Sequence, residues 1–408
     1  MTERLVIVDG VRTPFCKAGT ELVSFSADDL GRIAVDALLT RTALDPALID
    51  EVIFGCVAQP AEAANIARVI ALRAGIPDSV PAVTVHRNCA SGFEAFTTAY
   101  ERLAAGRGTI FVVGGAESMS RVPMLFQNLT AQKFAGIAKA KTTTEKVTAM
   151  AAFRMADFEP RAALKLGLTD PVSGLNMGET ADLLAREDGI TREQQDTFAL
   201  QSHQRALAAE ARLAEEICPV YLGSKPLARD NGPRPDSSMA ALAGLKPVFE
   251  KYGSVTAGNS SQISDGAVAL LVMAESRAKE LGYKPLGALT AYAYAGVDPA
   301  HMGLGPVAAI EKVARTSKLT PADADIIEIN EAFAATVLGV LSRVKPAISQ
   351  EKLNVNGGAI ALGHPVGATG ARLVLTSLKE LARRNAQRAL VSLCVGGGQG
   401  GAIWLERI

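Results

Sequence analysis

An internal repeat with an offset of 275 residues is the feature that most constrains the fold of this 408-residue chain. Residues 46–55 read PALIDEVIFG and residues 321–330 read PADADIIEIN, so each segment begins with a proline turn and continues into an apolar strand. The same offset relates Cys89 to His364. Two weakly similar halves in one register predict a duplicated core.

The remaining segments divide the chain around this repeat. A glycine-ended strand follows in each half, at residues 109–115 and 389–397, and the alternation of strands with helices favours α/β layering with largely parallel sheets. A capping box at Thr191 predicts a helix that runs to about Ala214. The expected domains are residues 1–119 with 250–276, an inserted loop domain over 120–249, and 277–408.

Charge and cysteine usage exclude several classes of protein. Lys plus Arg and Asp plus Glu both number 42, so no overall positive field attracts nucleic acid. No apolar run approaches the roughly 20 residues of a membrane span, and no signal peptide is evident, which predicts a soluble cytoplasmic protein. Five cysteines without a C-x-x-C pair argue against a disulfide framework and against a structural metal site.

Cys89 is the first candidate for chemistry, within the segment NCASGFEAF. Ser91 and Glu94 have the spacing of a capping box and predict a helix that begins just after the cysteine. The positive end of a helix dipole and the free backbone N–H groups there favour a nucleophilic thiolate. The alternative is a buried cysteine that only packs.

His364 is the second candidate, in the glycine-rich segment NGGAIALGHPVGATG over residues 356–370. Glycine at this density allows close approach of the backbone to a ligand or another segment. A lone histidine is more often structural than catalytic, but this one occupies the duplicate position of Cys89. A quasi-twofold core would bring the two helix starts face to face.

Cys394 and Asn330 each follow an apolar strand, at the end where open α/β sheets bind ligands. Cys394 leads into the run GGGQGG, which lacks the Lys-Ser/Thr of a phosphate loop. Asn330 could hold a water molecule, donate to an oxyanion, or cap the next helix.

Taken with VVGGAESMS at 112–120 and VTAGNSS at 255–261, these segments resemble the thiolase family over essentially the whole chain. The resemblance implies an α/β fold with a thiolase-like five-layered αβαβα core of two duplicated halves and an inserted loop domain that helps bind coenzyme A. It also implies an acyl-CoA C-acyltransferase that cleaves 3-ketoacyl-CoA with coenzyme A, or runs the reverse condensation. Coenzyme A and acyl-CoA are then substrates and not permanently bound cofactors.

The resemblance also assigns roles to residues. Cys89 matches the acylated nucleophile, His364 the base that activates it, and Cys394 the acid/base that moves the α-proton. Asn330 and His364 match one oxyanion site, and the backbone N–H groups of Cys89 and Gly396 match the other. The residues that match the lining of a pantetheine tunnel are Ser261, Phe249, Phe333 and Met302, with Arg234 at the nucleotide end.

Rival functions and partners remain open at this stage. An acetoacetyl-CoA-specific acetyltransferase is one alternative, and a ketoacyl-synthase-like condensing enzyme is another, which Cys394 disfavours. A noncatalytic subunit is disfavoured because all three reactive side chains are present. The insertion resembles β subunits of fatty-acid oxidation complexes at LKPVFEKYGSVTA, which implies a partner with enoyl-CoA hydratase and 3-hydroxyacyl-CoA dehydrogenase activities.

Exposed strand edges predict a homodimer or homotetramer. Residues 127–155 mix basic and apolar side chains. They predict a solvated lid or a subunit-contact segment, or else docking to a partner enzyme or, peripherally, to an anionic membrane.

Overall fold

The computed structural model describes residues 3–408. The strands, in chain order, are β1 (Leu5–Arg12), β2 (Cys16–Lys17), β3 (Glu51–Gly55), β4 (Ala82–Val85), β5 (Ile110–Ser118), β6 (Met124–Leu125), β7 (Arg161–Ala162), β8 (Val220–Leu222), β9 (Lys225–Leu227), β10 (Ser264–Ala274), β11 (Gly287–Gly296), β12 (Ile326–Ile329), β13 (Arg388–Val395) and β14 (Gln399–Glu406).

The helices, in chain order, are α1 (Ala27–Thr42), α2 (Ile66–Arg73), α3 (Ser91–Ala104), α4 (Asn128–Lys139), α5 (Thr143–Ala151), α6 (Ala163–Gly167), α7 (Met177–Glu187), α8 (Arg192–Ala208), α9 (Glu210–Ala214), α10 (Met239–Ala243), α11 (Glu275–Glu280), α12 (Gly305–Ser317), α13 (Ala334–Arg343), α14 (Ala359–Leu362) and α15 (Val366–Arg384). Single 3-10 turns at Pro46–Leu48 and Pro321–Asp323 precede β3 and β12, as the repeat predicted.

The two halves repeat one sheet topology. The strand order is β4-β3-β5-β10-β1 in the first half and β12-β13-β14-β11 in the second. Leu353 forms a parallel bridge to β12 and so takes the place that β4 has beside β3. The pairs β3–β5 and β12–β13 are parallel, and they occupy equivalent places in the two halves. The two pairs that follow each of them, β5–β10 and β10–β1 in the first half and β13–β14 and β14–β11 in the second, are antiparallel. A two-residue pairing of β1 with β11 joins the halves. The predicted duplication is confirmed.

The expectation of largely parallel sheets was wrong. Only β3–β4, β3–β5 and β12–β13 pair in parallel among the long strands, and the other neighbours are antiparallel. The antiparallel pairing of β13 with β14 follows from the short turn 396–398 that joins them, because so tight a connection can link only antiparallel strands. Cys394 therefore lies just before the hairpin turn between β13 and β14, and not at the open end of a parallel sheet.

Five layers follow from how the helices cover these sheets. Helices α3 and α15 contact each other and share one buried cluster with both sheets, so they form the middle layer. Helices α1 and α2 cover the outer face of the first sheet, while α12 and α13 cover that of the second. At the crossing of α3 and α15, a Cβ on Gly92 would lie 2.6 Å from the backbone nitrogen of Ala371, so only glycine allows this approach.

The inserted segment contributes the hairpin β8–β9, the short pairing of β6 with β7 and the helices α4 to α10. The Thr191 capping box is present, and the helix that it opens continues to Ala214 with a break at Ala209 between α8 and α9. Helices α4 and α5 lie on the surface over a cluster of Phe126, Phe134, Phe153 and Phe158 rings. Over residues 3–408, no helix has the length and apolar character needed to cross a membrane.

Candidate active site

Cys89 lies in the connection between β4 and α3, two residues before the helix begins at Ser91. The Ser91 hydroxyl donates to the Asn88 carbonyl over 2.7 Å and accepts from the Arg87 N–H over 3.0 Å, and Glu94 pairs with Arg87. The expected Ser91–Glu94 capping box is therefore wrong. Ser91 is already helical, and its hydroxyl shapes the preceding turn, where Asn88 has a φ of 42°.

The backbone N–H groups of Gly396 and of Cys89 itself favour the charged form of the Cys89 sulfur. Asn88 Nδ2 donates to the Gly396 carbonyl over 2.7 Å and thereby fixes the peptide that follows β13. Burial raises the pKa of the Cys89 thiol, and the two N–H groups offset this only in part. The thiol therefore needs a base to form the nucleophilic thiolate.

His364 is neutral, and its Nε2 can accept a proton. Its Nδ1 lies 2.6 Å from Thr369 Oγ1, and that hydroxyl is also 2.9 Å from the Pro365 carbonyl. Because the hydroxyl proton is used by the carbonyl, Nδ1 is the donor to Thr369 and Nε2 keeps its lone pair. Burial, with a contribution from the charge of Arg372, lowers the pKa of His364 to about 3. The imidazole is therefore neutral at pH 7.

Asn330 follows β12 and faces His364, with its Nδ2 3.4 Å from His364 Nε2. Its Oδ1 is buried and has no hydrogen-bond partner among the described residues. The next helix, α13, begins at Ala334 with Phe333 at its N-cap position, so Asn330 is not the cap. The amide has hydrogen-bonding capacity left for a bound group.

Cys394 is buried at the end of β13 and packs in one apolar cluster with Met302 and Phe333. Burial, together with negative charge on the neighbouring Cys89, raises the pKa of the Cys394 thiol to about 12. It is therefore protonated at pH 7 and has a proton to give.

Most of the residues matched to a pantetheine tunnel lie close to this thiol. Phe249 packs against the same cluster, with its ring 6.0 Å from that of Phe333 in an edge-to-face contact. The Ser261 N–H donates to the carbonyl of Ala332, also a cluster member. Arg234 is not part of the cluster: it lies on an exposed loop, where its N–H donates to His203 Nδ1.

Glu117 is a site residue that the sequence analysis did not select, although it lies in VVGGAESMS. Its buried carboxylate accepts from the N–H groups of Val57 (3.1 Å), Ala58 (2.9 Å) and Gly367 (3.0 Å). Gly367 lies in the first turn of α15, and Pro365 at that N-cap supplies no side-chain bond. Glu117, from the other half, therefore caps the helix that follows His364.

Thr369 was also missed, although it lies in the predicted GHPVGATG segment, because its role depends on the helical turn that returns its hydroxyl to His364. The site side chains are the neighbouring thiols of Cys89 and Cys394, and the neutral His364 beside Asn330, whose Oδ1 has no partner among the described residues. Backbone N–H groups favour a charged sulfur on Cys89. Such an arrangement defines an enzyme that transfers acyl groups by thiol chemistry.

Comparison with known proteins agrees with this class. The model of the thiolase N-terminal domain matches residues 5–276, and that of the thiolase C-terminal domain matches residues 283–407. The chain is 42% identical to an acetyl-CoA acetyltransferase of Allochromatium vinosum, covering 100% of both chains. It is 40% identical to a 3-ketoacyl-CoA thiolase of Serratia proteamaculans, covering 99% of this chain and 97% of that one.

Solved structures give the same result. The acetyl-CoA acetyltransferase of Bacillus anthracis superposes with a TM-score of 0.90 at 38% identity, covering 100% of this chain and 99% of that one. Human mitochondrial 3-ketoacyl-CoA thiolase in complex with CoA also has a TM-score of 0.90, at 35% identity, covering 100% and 98%. The chain therefore belongs to the thiolase family, and it is an acyltransferase.

Proposed function

We propose that the protein cleaves 3-ketoacyl-CoA with coenzyme A through a thioester on Cys89, or runs the reverse condensation. The observation that carries this proposal is a thiol, Cys89, whose charged form is favoured by two backbone N–H groups and which lies beside a second thiol, Cys394. The printed names of the relatives, acetyl-CoA acetyltransferase and 3-ketoacyl-CoA thiolase, support the substrate class.

In the proposed cleavage, Nε2 of His364 takes the thiol proton and Cys89 attacks the 3-keto carbon. The resulting alkoxide is stabilised by the N–H groups of Cys89 and Gly396. The C2–C3 bond then breaks, and its electron pair forms an acetyl-CoA enolate whose oxygen lies beside Asn330 and His364. Cys394 protonates the enolate carbon, and acetyl-CoA leaves. The Cys394 thiolate then takes the thiol proton of a second coenzyme A, whose sulfur removes the acyl group from Cys89, and the Cys89 sulfur regains its proton from His364.

We also propose that coenzyme A is held as a substrate, with its pantetheine arm along Phe249, Phe333, Met302 and Ser261. Arg234 would meet the nucleotide end, which its exposure permits. The human mitochondrial thiolase crystallised with CoA supports a site of this kind.

Beyond the site, we propose a cytoplasmic homo-oligomer with a core of residues 1–119 plus 250–276 and 277–408 around the insertion 120–249. The exposed apolar side chains of α4 and α5, such as Val147 and Met150, favour a contact between subunits there. A hydratase–dehydrogenase partner or an anionic membrane is the alternative occupant. A protein lacking residues 127–155 that keeps its oligomeric state would remove the support for a subunit contact.

The function is tested by thiolysis of a series of 3-ketoacyl-CoA substrates. We expect acetyl-CoA and an acyl-CoA shortened by two carbons, and we expect none with Cys89→Ala. Activity on acetoacetyl-CoA alone would favour the narrower acetyltransferase. Condensation without thiolysis would favour a ketoacyl-synthase-like enzyme, and absence of both reactions would reject the proposal.

A further inference from the structure

A cleft of about 820 Å³ opens directly beside Cys89. One wall belongs to the core and includes Val57, Met119 and Val366, and the opposite wall is formed by residues 163, 164 and 166–172 of the insertion. Apolar side chains face it from both walls, among them Leu164, Leu168 and Val172. The volume is near the upper end of the usual range for small-molecule sites, and far more than an acetyl group on Cys89 needs.

The charges around the cleft indicate what it can hold. Within the described part of the chain, no Lys, Arg or His side chain lines it, so it offers no partner for the phosphates of coenzyme A. Its two carboxylates are already used by backbone N–H groups: Glu117 by Val57, Ala58 and Gly367, and Asp170 by residues 172 and 173. The cleft is therefore suited to an uncharged, apolar occupant.

The position of the cleft relative to Cys394 also favours an acyl chain as its occupant. The cluster of Phe249, Phe333 and Met302 surrounds Cys394, whereas none of these side chains lines the cleft. Met177 lies at the boundary, because it lines the cleft and packs against the cluster. The cleft is thus separate from the residues proposed to hold the pantetheine arm, except at Met177.

We propose that this cleft binds the alkyl chain of medium- and long-chain 3-ketoacyl-CoA substrates, and that residues 163–172 set the accepted length. The inference rests on the proposed function, because it assigns a chain length to the acyl group carried by Cys89. Each methylene that enters an apolar site contributes about a fourfold gain in kcat/KM while contacts remain to be made. The protein is then a broad-range thiolase and not an acetoacetyl-CoA-specific enzyme.

Gly167 offers a way to shorten the cleft without disturbing the fold. It lines the cleft at the end of α6, and a Cβ built on it meets no atom within 4 Å. Gly167→Phe therefore meets no clash at its Cβ. Gly136 is the matched control, since it is also a helical glycine of the insertion with no atom within 4 Å of its Cβ, but it lies on α4 away from the cleft.

The experiment compares kcat/KM for acetoacetyl-CoA and 3-ketodecanoyl-CoA in the wild type, Gly167→Phe and Gly136→Phe. We expect Gly167→Phe to lose about tenfold or more on the ten-carbon substrate, the equivalent of two methylenes, and to change less than about twofold on acetoacetyl-CoA. Gly136→Phe is expected to match the wild type on both. Retained acetoacetyl-CoA activity shows that each variant is folded.

Two results would overturn the cleft assignment while leaving the thiolase function standing. One is an equal loss on both substrates with a raised KM for coenzyme A, which would mean that the cleft holds the pantetheine arm. The other is a wild-type enzyme that cleaves acetoacetyl-CoA but not the ten-carbon substrate. A wild type that cleaves neither would instead reject the proposed function.

Discussion

At the scale of single residues, the site depends on which ring nitrogen of His364 carries the proton. Thr369 fixes this choice, because its hydroxyl donates to the Pro365 carbonyl and can only accept from Nδ1. Nε2 is thereby left as the base without any carboxylate beside it. Burial lowers the pKa of His364 to about 3 and so keeps the imidazole neutral.

Replacing Thr369 by Val should lower kcat about 10- to 100-fold, a part of the 10²–10⁴ that a positioned base contributes. The valine has a similar shape but leaves Nδ1–H without a partner and the imidazole free to change tautomer. Thr369→Ser is the matched control and should retain most of the activity. Steady-state thiolysis measures both, and equal kcat for Val and Ser variants would show that the hydroxyl does not orient His364.

At the scale of helices and strands, the two halves are joined where each helix of the middle layer begins. Helix α15 starts after a proline that offers no side-chain cap, and Glu117 on β5 supplies the missing acceptor. Gly92 on α3 permits the close approach of the two helices. The relative placement of Cys89 and His364 therefore depends on contacts between the halves.

Glu117→Gln should destabilise the protein by about 1–3 kcal/mol, the usual cost of leaving buried hydrogen-bonding groups unpaired. The amide can accept from some of the three N–H groups, but its own NH₂ then faces donors. Glu145→Gln is the control, because Glu145 also caps a helix start but is exposed. Urea unfolding and kcat are the measurements. A Glu117→Gln variant with the midpoint and kcat of the wild type would refute the capping role.

The repeat and the motifs were sufficient to predict the duplicated core. Residues 46–55 and 321–330 form equivalent turns and strands because local patterns at the same spacing encode them. The prediction of Ser91 as an N-cap was wrong because the helix begins at Ser91 itself, one residue earlier than the motif suggests. Glu117 could not be found, since its partner Gly367 is 250 residues away and no local pattern links them.

At the scale of the whole molecule, one edge of the joined sheet remains open. β4 is the terminal strand, its side chains are partly exposed, and it leads directly to Cys89. At the other end, Leu353 bridges to β12 and covers part of that edge. An uncovered edge strand next to the site favours pairing with a second copy.

We therefore expect at least a dimer, of about twice the 42.6 kDa of one chain, in light scattering at micromolar concentration. Ala82→Pro should weaken it, because the register with β3 turns the N–H of Ala82 toward the open edge and proline cannot donate to a partner strand. Ala82→Ser is the control for the change of side chain, because it keeps the N–H group. A wild-type mass of one chain would reject the dimer.

The central claim, that acyl transfer passes through Cys89 while Cys394 moves a proton, is tested most directly by mass spectrometry of peptides after brief exposure to acetyl-CoA. We expect the added acetyl mass on the Cys89 peptide, in the wild type and equally in Cys394→Ala, because forming the thioester requires only Cys89 and its base. An acetyl group on Cys394, or a Cys394→Ala variant that no longer acylates Cys89, would contradict this division of roles.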